Sequence, residues 1–130
     1  MEFSVKQPIL GFENIKTYKL IPIDEVFMRL DAIGAQTSFT LVNPYALRDY
    51  QFNLPATIKA LLDIKEDSEL LILNIMIVHT PLEDSKINFI APIIFNVSNQ
   101  TMAQTVLDHN IYKDYQLSDP ISNYISLENK

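Results

Sequence analysis

A chain of 130 residues, nearly half of them apolar and a fifth charged, has the makings of one globular domain with its own core; disorder and fibrous repeats do not fit it. Sixteen acids against ten bases leave a net charge of −6, with arginine only at Arg29 and Arg48. Direct nucleic-acid binding, which needs clustered cations to displace counterions, is therefore not expected. The lack of cysteine removes disulfides, thiolate metal sites and a cysteine nucleophile together.

The opening residues carry no basic segment followed by an apolar run, so no secretory leader is expected and the cytoplasm is the default location. Phe3 and Val5 share one face of a first strand. Val26, Met28 and Leu30 share a face of another, with Phe27, Arg29 and Asp31 opposite, and Phe39 with Leu41 repeats the alternation. Period-two spacing marks half-buried strands of an antiparallel sheet. Glycine stands only at positions 11 and 34, so turns fall to Asn43-Pro44, Thr80-Pro81, Ser98-Asn99 and Ser118-Asp119-Pro120.

Leu54, Ile58, Leu61 and Leu62 form a helical stripe, with Pro55 near its first position and Asn53 as its cap. Asp63, Glu66, Asp67 and Glu69 follow as the densest acidic stretch, relieved by Lys65, and read as a solvated loop. The apolar run Leu70 to Val78 is too short to span a bilayer as a helix and reads as a buried strand.

Segment 87–96, Ile-Asn-Phe-Ile-Ala-Pro-Ile-Ile-Phe-Asn, is a strand pattern broken by Ala91-Pro92. Proline lacks the donor that a central strand uses, which places Pro92 at a sheet edge or a bulge. An apolar, partly unpaired edge suits the docking of another chain. A further strand is expected over 101–107. Near the end, Asp119 caps and Pro120 opens a short helix with Ile121, Tyr124 and Ile125 on one face. The fold class is mostly β: a single small antiparallel β-barrel-like domain, residues 1–130, with one or two short helices.

Catalytic constellations are absent from the pattern. His79 and His109 lie thirty residues apart, in a strand end and a polar turn. There is no HExxH, glycine-rich phosphate loop or G-x-S-x-G elbow, and the carboxylate clusters all fall in expected turns without the apolar walls that would separate their pKa values. No enzyme activity, metal or cofactor is expected. Alternation fits a barrel enclosing an apolar ligand equally well; such a barrel holds an internal cavity, whereas a protein-docking barrel is filled by side chains.

Several segments together resemble one family. Ile9-Leu10-Gly11-Phe12-Glu13 is similar to its Gly-Phe-Glu turn. Phe39 to Tyr45, with Asn43-Pro44, then Asp49-Tyr50-Gln51-Phe52, resembles a strand end and its continuation. Asn88-Phe89-Ile90-Ala91-Pro92-Ile93 resembles an N-L-x-A-P-I signature, and Asn96, Gln104 to Leu107 and Tyr112 follow in order. The set, from about Phe3 to Tyr112, is similar to the flagellar assembly factor family FliW. Asn43 stands where aspartate is more usual, Phe89 replaces the common leucine, and the tail from Asp119 follows no family pattern. The resemblance implies a non-enzymatic barrel with two alternative partners, flagellin and the translational regulator CsrA, whose repression of flagellin mRNA it antagonises; a monomer is expected. Under the resemblance, Asn88, Phe89, Ala91 and Pro92, together with Asn43, Pro44, Tyr45 and Tyr50, are expected to capture flagellin, with Gln104 also at the protein-binding surface. Asp63, Glu66, Asp67 and Glu69 are expected to face the regulator.

Overall fold

Alternating apolar residues close this chain on itself. In the computed structural model, which describes residues 1–125, four strands form an antiparallel meander: β1 (Glu2–Gln7), β2 (Thr17–Pro22), β3 (Phe27–Ala32) and β4 (Ser38–Val42). A short helix, α1 (Ala56–Leu61), leads to the long β5 (Leu70–Ile77). Then come β6 (Lys86–Ile87), β7 (Ile93–Asn96), β8 (Thr101–Gln104) and β9 (Asp119–Pro120). Strand neighbours run β4-β3-β2-β1-β8-β7-β5, and β5 pairs back onto β4, so seven strands close a barrel. Closure through β1 and β8 is the one parallel step. Strands β6 and β9 extend the far end of β5 outside the ring.

Burial explains the two kinds of strand. Phe3, Tyr18, Leu20 and Leu30 point inward from strands whose other face meets solvent, and they pack with Leu41, Leu73, Ile93, Phe95 and Met102. Strands β7 and β8 are buried on both faces. Their outward Ile94 and Ala103 lie under Ile58 of α1 and Leu62 just past its end. A third cluster, outside the ring, gathers Tyr50, Met76, Ile87, Phe89, Tyr115 and Ile121 beneath the C-terminal segment.

Three expectations change. Helix α1 starts after Pro55, and no side chain caps it; Asn53 instead donates its backbone N–H to the Tyr112 hydroxyl, 2.8 Å. The expected C-terminal helix, as far as Ile125, is strand β9 followed by a single 3-10 turn, Ile121–Asn123. Its Ser118-Asp119-Pro120 is not a turn, because Asp119 and Pro120 pair with Ile87 and Lys86. The apolar face nevertheless holds: Ile121 is buried, and Tyr124 and Ile125 pack on the outer cluster. The rest of that tail, residues 126–130, lies outside the described residues.

Pro92 answers the question its sequence raised. It is buried in the break between β6 and β7, both of which pair with β5. There the missing N–H costs no ladder bond, while its carbonyl accepts from Thr105 N at 3.1 Å. The segment is an interruption inside the sheet, not an exposed edge. Strand β8 ends at Gln104, yet Leu107 N still reaches the Ile90 carbonyl at 2.7 Å, so the expected strand over 101–107 frays into an irregular continuation.

Candidate functional site

The broken segment 88–92 divides two environments. Its Asn88, Ile90 and Ala91 border a cleft, whereas Phe89 points the opposite way into the outer cluster. The cleft measures about 330 Å³ and opens at the surface between the Ile9–Phe12 turn, Phe39, the end of β5 and Leu117. It arises because β4 pairs with β5 only over Thr40 to Val42, leaving Ser38 and Phe39 apart from Ile77. A second, larger and more open hollow of about 620 Å³ continues past Ile90, Val106 and Leu117 to His109 and Lys113. Exposed apolar side chains rim the pair: Leu10 (66%), Ile77 (58%), Val106 (57%) and Leu117 (69%). A contiguous apolar groove with polar groups at its base is what a protein-docking surface needs.

Gln104 supplies one such base. Its Oε1 accepts from Leu10 N at 2.8 Å, and its Nε2 donates to the Ala91 carbonyl at 3.3 Å, tying the Gly-Phe-Glu turn to the broken segment. Gly11, at φ +90, makes that turn possible. Asn88 turns inward locally: its Oδ1 accepts from Ala91 N at 3.1 Å.

The expected surface residues separate. Asn88, Ala91 and Gln104 meet at the groove. Phe89 has no exposed surface, and Tyr50, Ala91, Pro92 and Pro44 are buried as well. The picture of Phe89 as an edge side chain offered to a partner is therefore corrected: its ring is a core element. Asn43 accepts from Tyr45 N at 3.0 Å and caps a 3-10 turn, Pro44–Ala46. That turn presents Tyr45 beside a different cleft of about 430 Å³, lined also by Tyr50, Phe52, Leu54 and Leu70. Asp63, Glu66, Asp67 and Glu69 are all exposed on the loop ending at Leu70, as a solvated acidic stretch should be. The two clefts share no lining residue.

Sequence reasoning missed Ile77, Leu117 and Leu10. The available signal was large apolar residues at strand ends and in turns, where a solvated chain gains nothing from them. It also missed Arg48, whose guanidinium carbon lies 5.1 Å from the Phe89 ring centre, 4.9 Å from Tyr115 and 5.5 Å from Tyr124. Both arginines are engaged within the chain, since Arg29 holds Asp31 at 3.0 Å and keeps its carboxyl below the ordinary range. Neither stands free for a phosphate.

His79 and His109 are exposed, and His79 N donates to Ser85 Oγ. Among the described residues no three His, Cys, Asp or Glu side chains are grouped to hold a metal. No helix among them is long and apolar enough to cross a membrane. The barrel interior is filled by side chains.

The fold is thus a small closed seven-stranded β-barrel with a packed interior and an apolar groove on its wall. The sequence model of the family described as FliW protein matches residues 2–121. The chain is 52% identical over 127 residues, covering 97% of its length and 93% of the relative's, to flagellar assembly factor FliW 2 of Wolinella succinogenes. It is 48% identical over 126 residues, 96% of this chain and 98% of the relative, to flagellar assembly factor FliW of Sulfurimonas denitrificans. A crystal structure of a flagellar assembly factor FliW superposes with a TM-score of 0.84 at 22% identity, covering 98% of this chain and 88% of that one. The chain belongs to the FliW family.

Proposed function

We propose that this FliW-family chain is a flagellar assembly factor that acts in the cytoplasm as a monomer by binding proteins, with flagellin and CsrA as alternative partners. The observation that carries the reading is the apolar groove rimmed by Leu10, Ile77, Val106 and Leu117 on a barrel whose interior is full. Flagellin is assigned to that groove, with Asn88 and Gln104 as the polar groups at its floor. Tyr45, in the turn that Asn43 caps and with buried Pro44 and Tyr50 behind it, faces the second cleft, which borders the acidic loop; these four residues are therefore moved from the flagellin surface and that cleft is assigned to CsrA.

Physical chemistry supports the second assignment. A protein that grips RNA phosphates presents a basic face, and an acidic partner docked beside it lowers the local potential without imitating a base. One charge pair 10 Å apart in water is worth about 0.4 kcal/mol before screening, so a tenfold effect, about 1.4 kcal/mol, needs several acids together. Asp63, Glu66, Asp67 and Glu69 supply that number at one place.

The test is binding of the full chain to flagellin and to CsrA, separately and in competition. Ile77→Asp combined with Val106→Asp, at exposed positions, should keep the melting temperature and weaken flagellin binding at least tenfold. Glu66→Lys with Asp67→Lys should restore RNA binding by CsrA in a mixture. A groove variant that holds flagellin as tightly as the parent overturns the groove assignment. Failure of the parent to bind either protein overturns the function.

A further inference from the structure

The groove and the C-terminal segment are built on opposite sides of one piece of backbone. Leu117 rims the groove, and one residue earlier the Gln116 carbonyl accepts from Phe89 N at 2.9 Å. From there the chain runs along β6 as β9, and Ile121 N reaches the Ser85 carbonyl. What fastens this strap is Arg48, from a distant part of the sequence. Its Nη1 donates to the Tyr124 hydroxyl at 3.0 Å and lies 3.9 Å from Asp119 Oδ2, while the Tyr124 hydroxyl itself donates to Asp119. The guanidinium is sandwiched among Phe89, Tyr115 and Tyr124, and the Phe89 and Tyr124 rings meet edge to face at 5.4 Å.

Phe89 is thus held by the strap on one side, while its neighbours Asn88, Ile90 and Ala91 form the groove wall. A planar, stacked arginine has no equivalent in lysine, whose compact charge cannot fill the same slot between rings. We propose that the strap Gln116–Ile125, pinned by Arg48, is a conformational clamp on the groove: its seating fixes the 88–91 wall, and loosening it reshapes the surface a docked protein would meet. Because coupling between two sites is reciprocal, occupation of the groove alters the strap in turn. The clamp goes beyond the assignment of the groove to flagellin and holds for whatever protein the groove takes.

Amide hydrogen exchange on the full chain, without any partner, tests the clamp independently of that assignment. The variants are Arg48→Lys and the milder Tyr124→Phe, which retains the ring and removes the hydroxyl. The strap is read at Ile121 and Tyr124, the wall at Ala91 and Leu107, and a control ladder at Leu20 and Leu30 in β2 and β3. The clamp predicts that either variant speeds exchange at strap and wall together by tenfold or more, with the control ladder unchanged. Acceleration confined to the strap overturns it, since the wall then stands without the pin. Uniform acceleration everywhere, or failure of both variants to fold, also overturns it, because the pin would then support the whole molecule and not the groove. No change at the wall in both variants does the same.

Discussion

The Tyr50 hydroxyl donates to the Phe89 carbonyl at 2.5 Å and accepts from Asn74 Nδ2 at 3.2 Å. Asn74 Nδ2 also donates to the Asn88 carbonyl at 3.0 Å. Two successive carbonyls of the broken segment are therefore held from beneath by side chains of a loop and of β5. The break between β6 and β7 leaves those carbonyls without ladder partners, and unpaired buried carbonyls are costly. Tyrosine and asparagine replace the missing strand.

Tyr50→Phe should accordingly destabilise the protein by about 1–3 kcal/mol, the range for leaving a buried acceptor unpaired. The ring stays, so packing against Tyr115 at 4.6 Å and Phe89 at 5.8 Å is retained. The loss is read as a lower denaturant midpoint with an unchanged slope. An unchanged midpoint would show that water or a shifted backbone satisfies the Phe89 carbonyl.

Tyr18 is the opposite case. Its ring is completely buried in the barrel and its hydroxyl has no hydrogen-bond partner. Tyr18→Phe removes an unsatisfied polar atom and should stabilise the fold by about 1 kcal/mol at neutral pH. Burial pushes the Tyr18 pKa up from 10.0 to about 12. The folded state keeps a proton that the unfolded chain releases near pH 10, so this contribution is intact below pH 10 and is lost as pH rises toward 12. Denaturant titrations at pH 8 and pH 11 should therefore show a smaller alkaline loss in Tyr18→Phe than in the parent. Tyr50 and Tyr124, also raised by burial, sustain the remainder of the loss.

Much of the barrel was legible because its signal is local: Phe3 with Val5, Met28 with Leu30 and Phe39 with Leu41 alternate along β1, β3 and β4, whereas β2, with buried Tyr18 and Leu20, was not read from the sequence. The break at Pro92 was legible too, since a missing donor cannot sit within a paired strand. Whether the break faced water was not. That depends on β9, contributed much later in the chain by Asp119 and Pro120, and on Arg48 filling the space between three rings. The aromatic residues around Arg48 carry no periodicity, because they come from loops. The groove was equally hidden: it is defined by where β4 and β5 stop pairing, and no residue type marks that point. Asn88 and Gln104 could be named from the sequence, but Ile77 and Leu117 required the topology.

Asp63 separates a backbone role from a charge role. Helix α1 ends with Asp63 in the left-handed region at φ 50; Asp63 N donates to the Ala60 carbonyl at 3.2 Å and Ile64 N to the Lys59 carbonyl at 2.9 Å. This double bond pattern is the Schellman ending, whose favoured residue at that position is glycine. Aspartate tolerates it at a cost that glycine avoids, and its ion pair with Lys65 at 3.6 Å is exposed and worth little. Asp63→Gly should raise stability by about 0.5–1 kcal/mol, while Asp63→Val, with a branched side chain at positive φ, should lower it. Thermal melts of the two variants decide the backbone part. If Asp63 also acts on CsrA through its charge, both substitutions weaken the release of RNA to the same small degree, whatever their opposite effects on melting. A loss of RNA release that instead tracks the melting temperature would assign Asp63 to the helix end alone.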